Sequence, residues 1–136
     1  MKVNPYLMFD GNCEEAFKFY EKCLGAKIEA MLPHEGSPAE GHVPPEWNKK
    51  ILHARMRIGD TVLMASDSPP GRQDKAKGGF SITLHTDTPE EAERVFAALG
   101  ENGTSTMPIG PTFFATRFGM LNDKFGMPWM IICEKG

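Results

Sequence analysis

No stretch of this 136-residue sequence stays apolar for the roughly 18 residues that a membrane-spanning helix needs. Met1-Lys2-Val3-Asn4-Pro5 offers no apolar core for a signal peptide. No membrane association is expected. Runs of lysine or arginine are also missing, and a net charge of −3 gives no counterion-release drive toward nucleic acid. No nucleic-acid partner is expected either. Cysteine is scarce: Cys13, Cys23 and Cys133 are odd in number and lack C-x-x-C spacing. That argues against a disulfide framework and for reduced thiols in a cytoplasmic protein. No spacing supports a Ser-His-Asp or Cys-His pairing, so no nucleophilic catalyst is assigned.

What is present is an ordinary globular composition, 40% hydrophobic and 24% charged. A chain of this length buries roughly two thirds of its unfolded surface, so a single domain over 1–136 needs no metal or disulfide staple. Nine methionines suit an adaptable apolar cavity as well as ordinary core filling.

Near the C-terminus, two apolar-rich runs flank Asn122-Asp123-Lys124-Phe125-Gly126. This polar turn ends in a glycine able to take positive φ, which predicts a hairpin. The continuous run Met130-Ile131-Ile132-Cys133 predicts a last strand covered on both faces. Upstream, Val3 to Phe9 reads as a strand, followed by a helix over 12–24. Asn12 has the chemistry of its N-cap and Glu15 that of a capping-box carboxylate. Cys13, Ala16, Phe17, Tyr20, Cys23 and Leu24 form the helix's apolar stripe, and Gly25 its stop. Strands follow at 26–33, 51–58 and 61–67. A long, mobile loop is expected over 34–50 and a second loop from Ser68 to Gly79.

The pattern then begins again, with a strand at 80–86. Thr88-Pro89-Glu90-Glu91 is a capping box with proline at the first helical position. A helix to Leu99 and three further strands complete the second round. Glu14-Glu15-Ala16 recurs 76 residues later as Glu90-Glu91-Ala92. The chain therefore reads as two β-α-β-β-β modules, at approximately 1–67 and 79–136. The expected class is α+β, with two curved mixed sheets pairing around a central cavity and the helices outside.

Such a duplication resembles the vicinal oxygen chelate superfamily of glyoxalase I, extradiol dioxygenases and the bleomycin- and fosfomycin-resistance proteins. More narrowly, Asn4-Pro5-Tyr6-Leu7-Met8-Phe9-Asp10-Gly11-Asn12, Phe17-Lys18-Phe19-Tyr20, Pro44-Pro45-Glu46-Trp47, His53-Ala54-Arg55 and Arg117-Phe118-Gly119 through Trp129-Met130-Ile131 resemble the PhnB-like branch. That branch often carries a 3-demethylubiquinone methyltransferase label. The resemblance implies a divalent metal held by His, Gln or Glu at matched places in the modules. Counting from the helix aromatics puts these places at Pro5, Ser81, near Met64 and at Met130. Neither proline nor thioether suits an oxygen-preferring metal, so no superfamily-type metal and no cofactor are expected. For methyl transfer on a Rossmann-like sheet, the only candidate turn is Asp10-Gly11-Asn12, one glycine that a plain turn explains.

Candidate ligand contacts follow from strand alternation. With Pro5 and Ser81 facing the cavity, Phe9 faces it too, His85 either faces it or caps a strand end, and Phe9, Met64, Phe114 and Met130 supply an apolar lining. His53, Arg55 and Arg57 share a strand face that is either solvated or an anion site. Arg117 either clamps a planar anion or makes a structural salt bridge. Trp47 is either a lid or packed against a dimer partner or the rim. Two function classes remain. One is a metal-independent protein binding a small, partly apolar ligand. The other is a lyase, isomerase or dioxygenase-like enzyme with a lost or relocated metal; a cavity filled by its own side chains would instead indicate a purely structural dimer. Uncovered sheet edges and excess apolar strand surface predict a homodimer.

Overall fold

The computed structural model describes residues 1–71 and 79–135, in two units, Met1–Lys75 and Ala76–Gly136. Residues 72–78, within the loop expected from Ser68 to Gly79, lie outside the described residues, as does Gly136.

The first unit runs β1 (Tyr6–Phe9), α1 (Cys13–Leu24), β2 (Lys27–Pro33), β3 (Ile51–Ile58) and β4 (Thr61–Asp67). Its sheet has the order β1-β4-β3-β2, with β1 parallel to β4 and the other pairs antiparallel. Helix α1 forms because apolar residues recur every three to four positions. Cys13, Ala16, Phe17, Tyr20 and Cys23 are buried on that stripe. Leu7 and Phe9 of β1, Ala54 and Met56 of β3, and Leu63 and Ala65 of β4 are buried with them. The Phe9 ring meets the edge of Phe17 at 6.5 Å between centroids and lies equally far from Tyr20. Gly25 ends the helix at φ 65°, a left-handed conformation that glycine adopts without strain.

The start of α1 departs from expectation. Asn12 makes no side-chain cap bond. Instead Asp67, at the end of β4, accepts from the backbone N–H of Gly11 and of Cys13 through Oδ1, both at 2.9 Å. Its Oδ2 accepts from Ile51 N at 2.8 Å. A buried carboxylate from the sheet thus replaces the local cap and ties β3, β4 and the helix start together.

The segment 34–50, expected as a long loop, holds two single-turn 3₁₀ helices, Glu40–His42 and Pro45–Trp47. Its base is fastened by His34, which is 2% exposed. The His34 backbone N–H donates to Lys50 O at 3.0 Å, and its Nδ1 lies 2.8 Å from the same oxygen.

The second unit repeats the order: β5 (Ile82–His85), α2 (Pro89–Leu99), β6 (Thr104–Gly110), β7 (Ala115–Asn122) and β8 (Pro128–Glu134). Its sheet order is β5-β8-β7-β6, again with the first pair parallel. Here the local cap forms, since Thr88 Oγ1 accepts from Glu91 N at 3.1 Å. Gly119 lies under α2, where a Cβ would come 2.7 Å from the Phe96 ring. The missing side chain lets that ring approach the sheet. The β7–β8 hairpin is built on Asp123, which is buried. Its Oδ1 accepts from Phe125 N and Met127 N, and its Oδ2 from Trp129 Nε1 at 2.8 Å. Gly126 supplies the positive φ, 85°. No helix among the described residues is long and apolar enough to cross a membrane.

Candidate functional site

Residues paired across neighbouring strands share a face of the sheet. In the first unit, Leu7, Leu63, Ala65, Ala54 and Met56 face α1, so the register turns the alternate set to the open face. One row across the sheet holds Tyr6, Met64 and Arg55, the next Val62 and Arg57, and Met8 pairs with Ser66 on the other side. The Tyr6 hydroxyl lies 3.1 Å from His53 Nδ1, with the rings 5.8 Å apart. This contact joins β1 to β3 on the open face, and two clefts lie on the same unit. One, of about 360 Å³, is lined by Met8, His34, His42, Leu52, Ser66 and Pro70 among others. The second, of about 600 Å³, has Lys2, Val3, Arg55, Arg57 and Val62 in its wall.

His53, Arg55 and Met64 therefore come together, beside Tyr6. Phe9 does not join them. It is 1% exposed and packed under α1, which corrects the face assigned to it. Tyr6-Leu7-Met8-Phe9 is apolar at both parities, and the strand begins at Tyr6, so counting from Pro5 selected the wrong alternate set. Trp47 packs over Gly11, whose added Cβ would lie 3.1 Å from the indole. Lys50 Nζ sits 5.8 Å from the centre of that ring and donates to Gly11 O at 2.8 Å. The indole thus rests at the β1–α1 turn.

In the second unit, Thr83 and His85 of β5, Met130 and Ile132 of β8, and Phe118 and Met120 of β7 share the face away from α2. His85 Nδ1 is 3.7 Å from Glu134 Oε1. Phe113, Phe114 and Phe118 stack edge to face, with centroids 5.2 and 5.1 Å apart. Arg117 lies on the opposite, helix-side face with Gly119. Its Nε is 3.4 Å from Glu93 Oε1 of α2, and its Nη1 donates to Thr116 O at 2.8 Å. Of its two readings, the salt bridge is the one seen, and Arg117 is removed from the ligand set. The sequence reading missed Tyr6, His34, His42 and Ser66. The histidines lie at the end of β2 and in the following loop, and only folding brings them to the cleft.

The metal implied by the superfamily does not fit these residues. Met64 and Met130 present thioethers on the open faces, while β1 presents Tyr6 and Met8 and β5 presents Thr83 and His85. Among the described residues no three His, Cys, Asp or Glu side chains gather where they would hold an ion. The start of α1 is equally unsuited to a phosphate-bearing cofactor, because Asp67 already takes the Gly11 and Cys13 N–H groups.

This architecture is that of the glyoxalase fold. A glyoxylase/bleomycin resistance protein/dioxygenase domain from Frankia sp. EAN1pec superimposes with a TM-score of 0.70 at 10% identity, over 99% of this chain and 98% of that one. The chain belongs to the PhnB-like family described as 3-demethylubiquinone-9 3-methyltransferase, whose model matches residues 1–132. Protein PA1353 from Pseudomonas aeruginosa is 48% identical, with a TM-score of 0.90 over 100% of this chain and 99% of that chain. A putative 3-demethylubiquinone-9 3-methyltransferase, PhnB protein, from Bacillus cereus is 28% identical, with a TM-score of 0.82 over 98% and 99%.

Proposed function

We propose that the chain is a binding protein for a small, partly apolar molecule, taken up on the open face of the first unit without a superfamily-type metal. The observation that carries this reading is a pair of clefts of small-molecule size on this unit, one walled by Met8 and Ser66 and the other by Arg55, Arg57 and Val62. Met8 and Met64 offer soft apolar surface there, and His53 and Arg55 a polar anchor. Met130 and Phe114 offer apolar surface on the other unit, where His85, beside Glu134, is the polar group. The methyl transfer in the family's description is not carried over, since at the candidate turn Asp10-Gly11-Asn12 the Gly11 and Cys13 N–H groups are already taken by Asp67. Three buried cysteines, none of them in a disulfide, support a reducing, cytoplasmic setting. Exposed Tyr6 and Met8 on edge strand β1, Leu32 on edge strand β2 and Met107 on edge strand β6 support a homodimer that covers them.

Native mass spectrometry and elemental analysis of the purified protein test the reading. A bound organic molecule released on denaturation, with no stoichiometric metal, is the expected result. One metal per chain, lost only to a strong chelator and abolished by His53→Ala or His85→Ala, would favour the enzyme with a relocated metal.

A further inference from the structure

Strand β2 carries a register shift between Ile28 and Ala30, which leaves Glu29 outside the regular pairing. Its carboxylate reaches two arginines on β3: Oε1 accepts from Arg55 Nε at 2.9 Å and Oε2 from Arg57 Nε at 3.0 Å. Arg57 first and Arg55 second hold the Glu29 carboxyl below the usual carboxylate range. Each contact uses one of the five N–H donors that a guanidinium carries. One negative charge is thus shared between two positive ones. Both arginines line the cleft of about 600 Å³, where Lys2 adds a positive charge and Asp60 a negative one. With Glu29 included, the balance is one positive charge. The apolar residues of its lining are Val62, which is buried and paired with Arg57, and the exposed Val3.

We infer that this cleft binds a small monoanion of the carboxylate class with an apolar body. The carboxylate takes the outward guanidinium edges of Arg55 and Arg57, and the body lies along Val3 and Val62. The inference rests on the binding reading above and specifies the chemistry of its ligand. Charge balance favours a monoanion over a dianion, because Glu29 already occupies part of the arginine pair. Exposure of both arginines keeps the attraction sensitive to salt.

Benzoate and its neutral isostere benzamide, titrated calorimetrically into the full chain at low ionic strength, test it. Benzoate is expected to bind at least about tenfold more tightly, with the advantage shrinking as salt rises. Arg57→Gln should weaken benzoate about tenfold. Lys2→Gln, which precedes β1 and leaves the sheet untouched, should weaken it to a smaller degree. Glu29→Gln should strengthen it, because the competing carboxylate is gone; a purely structural ion pair would give no gain. Equal binding of the two probes, or Glu29→Gln binding benzoate no better than the wild type, overturns the inference. If benzoate fails while native mass spectrometry finds a neutral ligand, the binding reading stands and this inference falls. If neither shows a ligand, both fall.

Discussion

Two buried aspartates do much of the organising at the residue scale, one in each unit. Asp67 accepts three backbone N–H groups; Asp123 accepts two and an indole N–H. Removing a buried acceptor strands every donor it served, so Asp67→Ala should destabilise the protein by roughly 3–5 kcal/mol. Urea denaturation measures this, and a loss below about 1 kcal/mol would mean that water replaces the carboxylate. Asp67 also acts on Cys13. Burial, then the charges of Asp67 and Glu14, push that thiol's pKa far above its ordinary range. In the unfolded chain the thiol ionises near pH 8.5, so above that pH the native state holds a proton that the unfolded state has lost. Stability should therefore fall as pH rises beyond about 8.5, and Cys13→Ala should remove part of that slope in pH-dependent melts.

At the scale of elements, the two helices were legible because the 3.6-residue stripe and the stop signals act locally. Their caps differ. Thr88→Ala should cost about 1 kcal/mol, because its hydroxyl holds Glu91 N. Asn12→Ala should change stability by only a few tenths, since no side-chain cap bond is lost. Thermal unfolding of the two variants side by side checks the contrast, and equal losses would sink it. Strand faces were harder to read. β3 alternates polar and apolar residues and could be assigned; β1 is apolar at both parities and could not. Arg117 stayed open between clamp and salt bridge for a related reason: the neighbour that marks its face is Gly119, whose role is to admit the Phe96 ring of a distant helix.

For the whole molecule, the testable quantity is the assembly state. Tyr6, Met8, Leu32, Met107, Phe113 and Phe114 remain exposed, and several sit on edge strands. Covering such surface by a second chain is worth roughly 25 cal/mol for each Å² removed from water. Sedimentation at micromolar concentration should give a species near twice the 15.1 kDa chain mass. A species that stays at the single-chain mass as concentration rises would refute the proposed homodimer. Replacing exposed Leu32 with Lys should shift the equilibrium toward monomer if β2 takes part in the contact, because it places a charge in an apolar interface.

The sequence by itself determined the duplicated module, the two helices, the hairpins and the thioether positions that do not suit a hard metal. Each of these depends on residue type and short-range spacing. The tertiary structure alone decided that Asp67 caps a helix start 54 residues away, that Phe9 lies beneath α1, and that His53 meets Tyr6 across the sheet. It also decided that Glu29 is shared between Arg55 and Arg57. These facts depend on register and on a bulge, which follow from how strands from distant parts of the chain align, and a one-residue slip in that alignment reverses every face.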